Sequence, residues 1–307
     1  MFRFHRVESI KPWTIVATRV ISVVAALMLG SALFAAAGYD VPMLADNVTR
    51  GSFGNLFALE DLGLLVSPLI LTGLAAAVTL RIGLWNIGGE GQFYAGAIAA
   101  TVIGLKVQGN ADVMLVVLAV AGFLGGAVWI LIPALARAYL AVDEIITTLL
   151  LNFVALLFVN YLSTGPLRDP GQAVTSATAR VPYEVPTLDG DLHWGLGVAV
   201  ILAVVMALVL AYSRWGYEVR LAGANRFAAH YAGVPVARRL LQTMLLSGGL
   251  AGLAGMLEVT GTVHRLQGGI SNNFGYLGVM VAVLAGGHPI GVLPAASRST
   301  RCSLSPG

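Results

Sequence analysis

Residues 113–136 read VMLVVLAVAGFLGGAVWILIPALA, with no charged side chain among them. A helix rises about 1.5 Å per residue, and about 20 mainly apolar residues cross the hydrocarbon of a bilayer. This stretch is long enough, and it is not alone. Comparable runs occupy 14–38, 62–80, 145–162, 194–212 and 240–260. Two further stretches are less regular. Residues 93–105 are short, and 277–296 are interrupted by Gly286, Gly287, Pro289 and Pro294. The pattern predicts an all-α, polytopic transmembrane bundle of about eight membrane segments, some broken or re-entrant.

Composition agrees. Hydrophobic residues make up 57% of the 307 and charged residues 11%, with a mean hydropathy of +0.83. A water-soluble domain carries about a quarter charged residues, because its surface faces water. Lipid replaces that surface here. The net charge of +3 gives no reason to invoke nucleic acid, since the basic residues flank apolar runs. A single Cys302 excludes an internal disulfide framework, and the scattered histidines offer no metal-ligand spacing. No P-loop and no G-x-S-x-G elbow is present, so neither nucleotide binding nor catalysis is expected of this chain.

The first apolar run follows Arg3, Arg6 and Lys11, but it is longer than a signal-peptide core and more spans follow, so it reads as an uncleaved anchor. With the N-terminus inside, Arg81, Arg137, Arg214, Arg220, Arg226, Arg238 and Arg239 also fall on the cytoplasmic side. Only Arg50, Lys106, Arg168, Arg180 and Arg265 fall outside, together with most acids, including Asp189. Two connections are long: an outer loop of 163–193 and an arginine-rich inner loop of 213–239.

Four stretches carry polar residues that a plain lipid-spanning helix would not need. Residues 81–92, RIGLWNIGGEGQ, combine four glycines with Asn86, Glu90 and Gln92. They read either as lining of a watery path or as a cytoplasmic turn with a solvated or capping Glu90. In 143–152, DEIITTLLLN, Asp143 and Glu144 suit a helix N-terminus, while Asn152 lies about two turns into the span, as interhelical glue or path lining. In 223–239, GANRFAAHYAGVPVARR, Asn225 is a good N-cap and Gly233 a good stop. Phe227 and Tyr231 share one face of the short helix between them. Its small apolar face suits a protein groove better than lipid headgroups. In 247–258, SGGLAGLAGMLE, Gly248, Gly252 and Gly255 form a close-packing face that ends at Glu258, an interfacial or path-facing carboxylate.

Taken in order, the stretches GLWNIGGEGQFYAGA (83–97), DEIITTLLLNFVALLFVNYL (143–162), GANRFAAHYAGV (223–234), SGGLAGLAGMLEVTG (247–261) and GVMVAVLAGGHPIGVLPAA (278–296) resemble the permease subunits of nucleoside and simple-sugar ABC importers. That family lies within the branched-chain amino acid and ribose permease group. The resemblance implies a permease domain over 1–296, in the bacterial inner membrane, that pairs with a second, paralogous permease. It further implies a cytoplasmic ATP-binding cassette ATPase that uses the ATP, and an extracytoplasmic solute-binding protein. Gly223, Asn225, Phe227, Ala229, Tyr231 and Gly233 match the loop that engages the ATPase. Asn86, Glu90, Gln92, Asn152 and Glu258 are the candidates for lining a path, and no cofactor is expected on this chain. An ion-coupled secondary transporter would fit the spans equally well. The family continues with hydrophobic sequence beyond 296, whereas this chain turns to SRSTRCSLSPG (297–307), so a frameshift or truncation is expected there.

Overall fold

The computed structural model describes residues 12–171, 176–188 and 190–303. Arg3, Arg6, Lys11 and Asp189 lie outside the described residues. Residues up to Asn55 form one unit and the chain from Leu56 a second.

The first unit holds α1 (Pro12–Ala36), which covers most of the expected first span, and α2 (Val41–Phe53). The apolar-run reading passed over α2, which is half polar. Its start signal is nevertheless in the sequence: Asp40 accepts from the Met43 amide at 3.1 Å, with a proline in the first turn.

The second unit runs α3 (Leu56–Arg81), α4 (Gly89–Lys106), α5 (Ala111–Leu140), α6 (Glu144–Thr164), α7 (Gly195–Tyr212), α8 (Arg214–Ala224), α9 (Arg226–Tyr231), α10 (Val236–Leu257), α11 (Phe274–Leu284) and α12 (Pro289–Ser303). No strand occurs among the described residues. Five helical segments are long and apolar enough to cross a membrane: α3, α5, α6, α7, and α10 with its continuation to Thr262. A sixth is formed if α11 and α12, bent by 116° at Gly286 and Gly287, count as one broken span. The expected interruption in 277–296 is therefore real. α12 carries the helical backbone on through 297–303, the start of the polar stretch where a frameshift or truncation was expected, and residues 304–307 lie outside the described set.

The helices divide into two kinds. In α3 and α10, 78% and 72% of the most apolar window is buried, against 22% in α6 and 33% in both α5 and α7. α3 and α10, with the largely buried α4, therefore form the core, and α5, α6 and α7 turn broad apolar faces outward, as lipid contact requires. Hydrocarbon gives little drive for apolar faces to associate, so close backbone packing must hold the core together. A Cβ on Gly252 would collide with the Gly122 carbonyl, and one on Gly96 with the Gly252 carbonyl. α4, α5 and α10 thus meet backbone to backbone along the small-residue face of 247–258. α6 buries a single stripe, Glu144, Thr148, Asn152, Ala155, Val159 and Ser163, at the spacing of one helix face.

The long connection between α6 and α7 is strapped to the chain after α10. Val181 N donates to His264 O at 2.9 Å, Arg265 Nη1 to Asp169 Oδ2 at 3.0 Å, and Ala177 bridges Gln267.

Candidate functional site

α3 ends at Arg81, whose Nε donates to Gly287 O at 2.7 Å, and Gly83 turns the chain at a φ of +76°. Residues 82–88 then run back without helix until α4 begins at Gly89. A buried non-helical stretch must find partners for its polar groups within the protein. Asn86 supplies most of them. Its Oδ1 accepts from Gly88 N and from Gln92 Nε2, both at 2.9 Å. Its Nδ2 donates to Ser247 Oγ at 2.9 Å and to Gln92 Oε1 at 3.0 Å. Ser247 Oγ in turn donates to the Ala75 carbonyl at 2.8 Å. Asn86 and Gln92 thus form a closed, buried knot joining α3, α4 and α10.

Glu90 and Asn152 are placed differently. Gly89 lies against Gly275, so α4 and α11 begin beside one another. Glu90 accepts from Ser271 Oγ and, at 2.9 Å, from Gly275 N, which sets a carboxylate on the α11 N-terminus. Asn152 does the matching job at α4. Its Oδ1 accepts from Gly91 N at 2.8 Å, while its Nδ2 donates to Ile87 O at 2.9 Å and to Tyr276 Oη at 3.2 Å. Ser271 Oγ also stands 3.3 Å from Tyr94 Oη. Around this junction opens a cavity of about 370 Å³, lined by Glu90, Tyr94, Asn152, Ser271 and Tyr276 together with Phe153, Leu156, Gly269, Asn272 and Asn273.

Of the five residues expected to line a path, the structure therefore brings only Glu90 and Asn152 to one cavity. Glu258 sits elsewhere, at the start of a π-helical turn (Glu258–Thr262), buried and met by the Thr262 side chain instead of lying open at an interface. Glu90 is likewise buried, not a solvated residue of a surface turn. Asp143 caps α6, accepting from Ile145 N at 2.8 Å. Its neighbour Glu144 does not cap; it pairs with Arg137 at 3.0 Å and accepts from Trp85 N at 3.3 Å. Sequence reading missed Tyr94, Ser271, Asn272, Asn273 and Tyr276. The one available signal was the SNN triplet just before an apolar run.

The arginine-rich connection of 213–239 forms its short helix as expected, with one addition. α8 precedes the short helix, capped by Ser213, which accepts from Gly216 N at 2.9 Å. Asn225 caps α9 by accepting from Ala228 N at 3.0 Å, and Gly233 stops it at a φ of +77°. Ala229 is fully buried, while Phe227 and Tyr231 are 82% and 93% exposed. Gly223 rests on the Arg81 carbonyl. Glu218 of α8 accepts from Arg239 of α10 at 2.6 Å and from Arg214 at 3.1 Å. Gln242 Oε1 accepts from both Arg239 Nη1 at 2.7 Å and Trp215 Nε1 at 3.1 Å. The Arg239 guanidinium, with help from Arg214, holds the Glu218 carboxyl below its ordinary range.

Several apolar spans, two helices that begin inside the bundle beside a polar cavity, and an exposed aromatic helix on the connection of 213–239 together mark a multi-pass membrane protein. The chain belongs to the family of branched-chain amino acid transport system permease components, which it matches over residues 58–297. It is 34% identical over 282 residues to the guanosine ABC transporter permease NupP of Bacillus subtilis, spanning 90% of this chain and 81% of that one. To the glucose ABC transporter permease TsgB13 of Haloferax volcanii it is 33% identical over 290 residues, 90% of this chain and 76% of the relative. To the nucleoside ABC transporter permease NupB of Lactococcus lactis it is 30% identical over 289 residues, 90% and 79%. No solved structure matches. The resemblance drawn from the five sequence stretches holds, and the chain is an ABC transporter permease of this kind.

Proposed function

We propose that this permease carries nucleosides or simple sugars inward, with its N-terminus in the cytoplasm, as one half of a paired membrane channel. The observation that supports this reading most is α9. Two large aromatic side chains stand almost fully exposed on a six-residue helix that is capped at both ends and backed by a buried Ala229. Exposed aromatics on a rigid mount are what a partner's pocket takes up. The partner is a cytoplasmic ATP-binding cassette ATPase, which binds and uses the ATP; this chain holds no cofactor.

The Gly223 contact with Arg81 and the Glu218–Arg239 pair connect α8 to α3 and α10, so a push on α9 reaches both core helices. The polar cavity opens between the exposed Phe153 and the exposed Asn272 and Asn273, a face that lipid cannot cover cheaply. A second, paralogous permease closes that face, and an extracytoplasmic binding protein delivers the solute to the outer loop.

The test is co-purification from membranes that express the whole importer. Replacing Phe227 and Tyr231 by alanine should remove the ATPase from the complex while leaving the permease folded and in the membrane. Undiminished recovery of the ATPase with the double variant would refute α9 as its dock.

A further inference from the structure

The cavity at the α4–α11 junction contains polar groups of two sorts. Glu90, Ser271 and Asn152 are committed to protein partners. Asn272 and Asn273 are not. Both are exposed, and among the described residues neither side-chain amide has a hydrogen-bond partner. Both also hold left-handed backbone, at φ of +45° and +63°. Two consecutive non-glycine residues in that region are uncommon, although asparagine tolerates it better than other side chains.

Their position makes the open amides informative. Ser271, next in the chain, binds Glu90, and Gly275 lies on Gly89 and Glu90, so the pair is fixed at the level where α4 starts. That level is also the level of Asn152, eight residues beyond Glu144, or about 12 Å along α6. Amides this deep cannot be left to hydrocarbon; they face water, protein or a passing solute. Each carries donors and an acceptor side by side.

Charge narrows the ligand. No lysine, arginine or histidine lines the cavity, and its only carboxylate, Glu90, already accepts from Ser271 and Gly275 N. A phosphorylated or carboxylate-bearing solute would find no counter-charge. The Tyr276 and Phe153 side chains add flat apolar surface to the wall, and about 370 Å³ lies within the range of small-molecule sites, about 300–1,000 Å³.

We infer that Asn272 and Asn273, backed by Tyr276, form a solute-recognition element for a neutral, unphosphorylated nucleoside. The amides hydrogen-bond the edge of the base, and its face lies against the aromatic wall. This inference rests on the importer reading above.

The test uses the intact importer in proteoliposomes. In a Cys302→Ser background, the Asn273→Cys variant should react with a membrane-impermeant charged methanethiosulfonate, and added nucleoside should slow the reaction several-fold. Added nucleoside monophosphate should give no protection. Leu157→Cys, on the exposed apolar face of α6, should stay unreactive. Separately, Asn272→Gly with Asn273→Gly keeps the backbone permitted and removes both amides. It should raise the half-saturating nucleoside concentration at least tenfold, with the amount of assembled complex unchanged. Wild-type uptake of nucleoside with no change in the glycine variant overturns this inference alone. So does an Asn273→Cys variant that never reacts, or that reacts at the same rate whether or not nucleoside is present. Absence of nucleoside uptake by the wild-type importer overturns the solute reading and the inference with it.

Discussion

The start of α4 and the short helix α9 are both places where the chain departs from plain lipid-spanning helix, and they do so in opposite ways. At the first, Asn86, Gln92, Glu90 and Asn152 are buried and nearly every polar atom has a partner within the protein. At the second, Phe227 and Tyr231 are exposed and touch almost nothing. One region holds a broken backbone together inside the bundle; the other leaves two large aromatic side chains open, as the proposed docking of a partner would need. Substitutions should therefore separate cleanly. Changes at the junction should cost stability, while changes on α9 should cost coupling and spare stability.

The largest effect is expected where the junction is backed by backbone contact. Gly252→Val drives a branched side chain into the Gly122 carbonyl and the Gly126 backbone, where α10 meets α5 without a side chain between them. Overpacking typically costs about 1–3 kcal/mol, and this backbone clash belongs at or above the top of that range. Little monodisperse protein should be recovered by size-exclusion chromatography in detergent.

Next comes α9. Phe227→Ala with Tyr231→Ala should reduce ATP-driven uptake by about a hundredfold or more, as expected when central docking anchors are lost. The apparent melting temperature should not change, since exposed substitutions usually fall within about ±0.5 kcal/mol. A clear fall in melting temperature would break the comparison.

Within the junction, Asn86→Ala leaves Gln92 and Ser247 short of partners and should cost about 1–3 kcal/mol. Asn152→Ala should cost a similar amount, because Gly91 N loses its acceptor, and should also impair uptake, because Asn152 lines the cavity. Uptake per folded molecule should distinguish them: near normal for Asn86→Ala, reduced for Asn152→Ala.

The smallest effect concerns the link between the two regions. Glu218→Gln weakens the tie between α8 and α10 and should change coupling of ATP hydrolysis to uptake by about 2- to 30-fold. Because Arg239 holds the Glu218 carboxyl below its ordinary range, its contribution is present above that range and is lost as pH falls through the lowered value. Coupling through this pair should therefore be level across neutral pH and fall only in acid, as a pH series of ATPase-to-uptake ratios would reveal.

The contrast also explains what could be read without coordinates. The spans, the Asn225 and Gly233 ends of α9, the Asp143 cap and the close-packing glycines are local: each depends on a few residues at helical spacing. The junction is not local. Glu90 and Ser271 are 181 positions apart, and no periodicity joins them. Asn86, Glu90 and Gln92 fall within one short stretch that is partly non-helical, so spacing could not say which of them would turn to a cavity and which into a knot. Glu258 reads as the polar end of a span because the π-helical turn that buries it leaves no mark in the apolar pattern. Helix α2 escaped for a simpler reason, since a search for apolar runs ignores an amphipathic helix announced only by its cap.

The central claim is that ATP hydrolysis by a partner, delivered through α9, drives solute through this chain. The most direct measurement is uptake of labelled nucleoside into proteoliposomes that contain the complete importer, with ATP supplied on the α9 side and ionophores added in parallel. The account predicts uptake that stops without ATP, persists with ionophores present and is lost in the Phe227→Ala, Tyr231→Ala variant. Uptake that continues without ATP and collapses with the ion gradient would contradict it, and would point to an ion-coupled carrier.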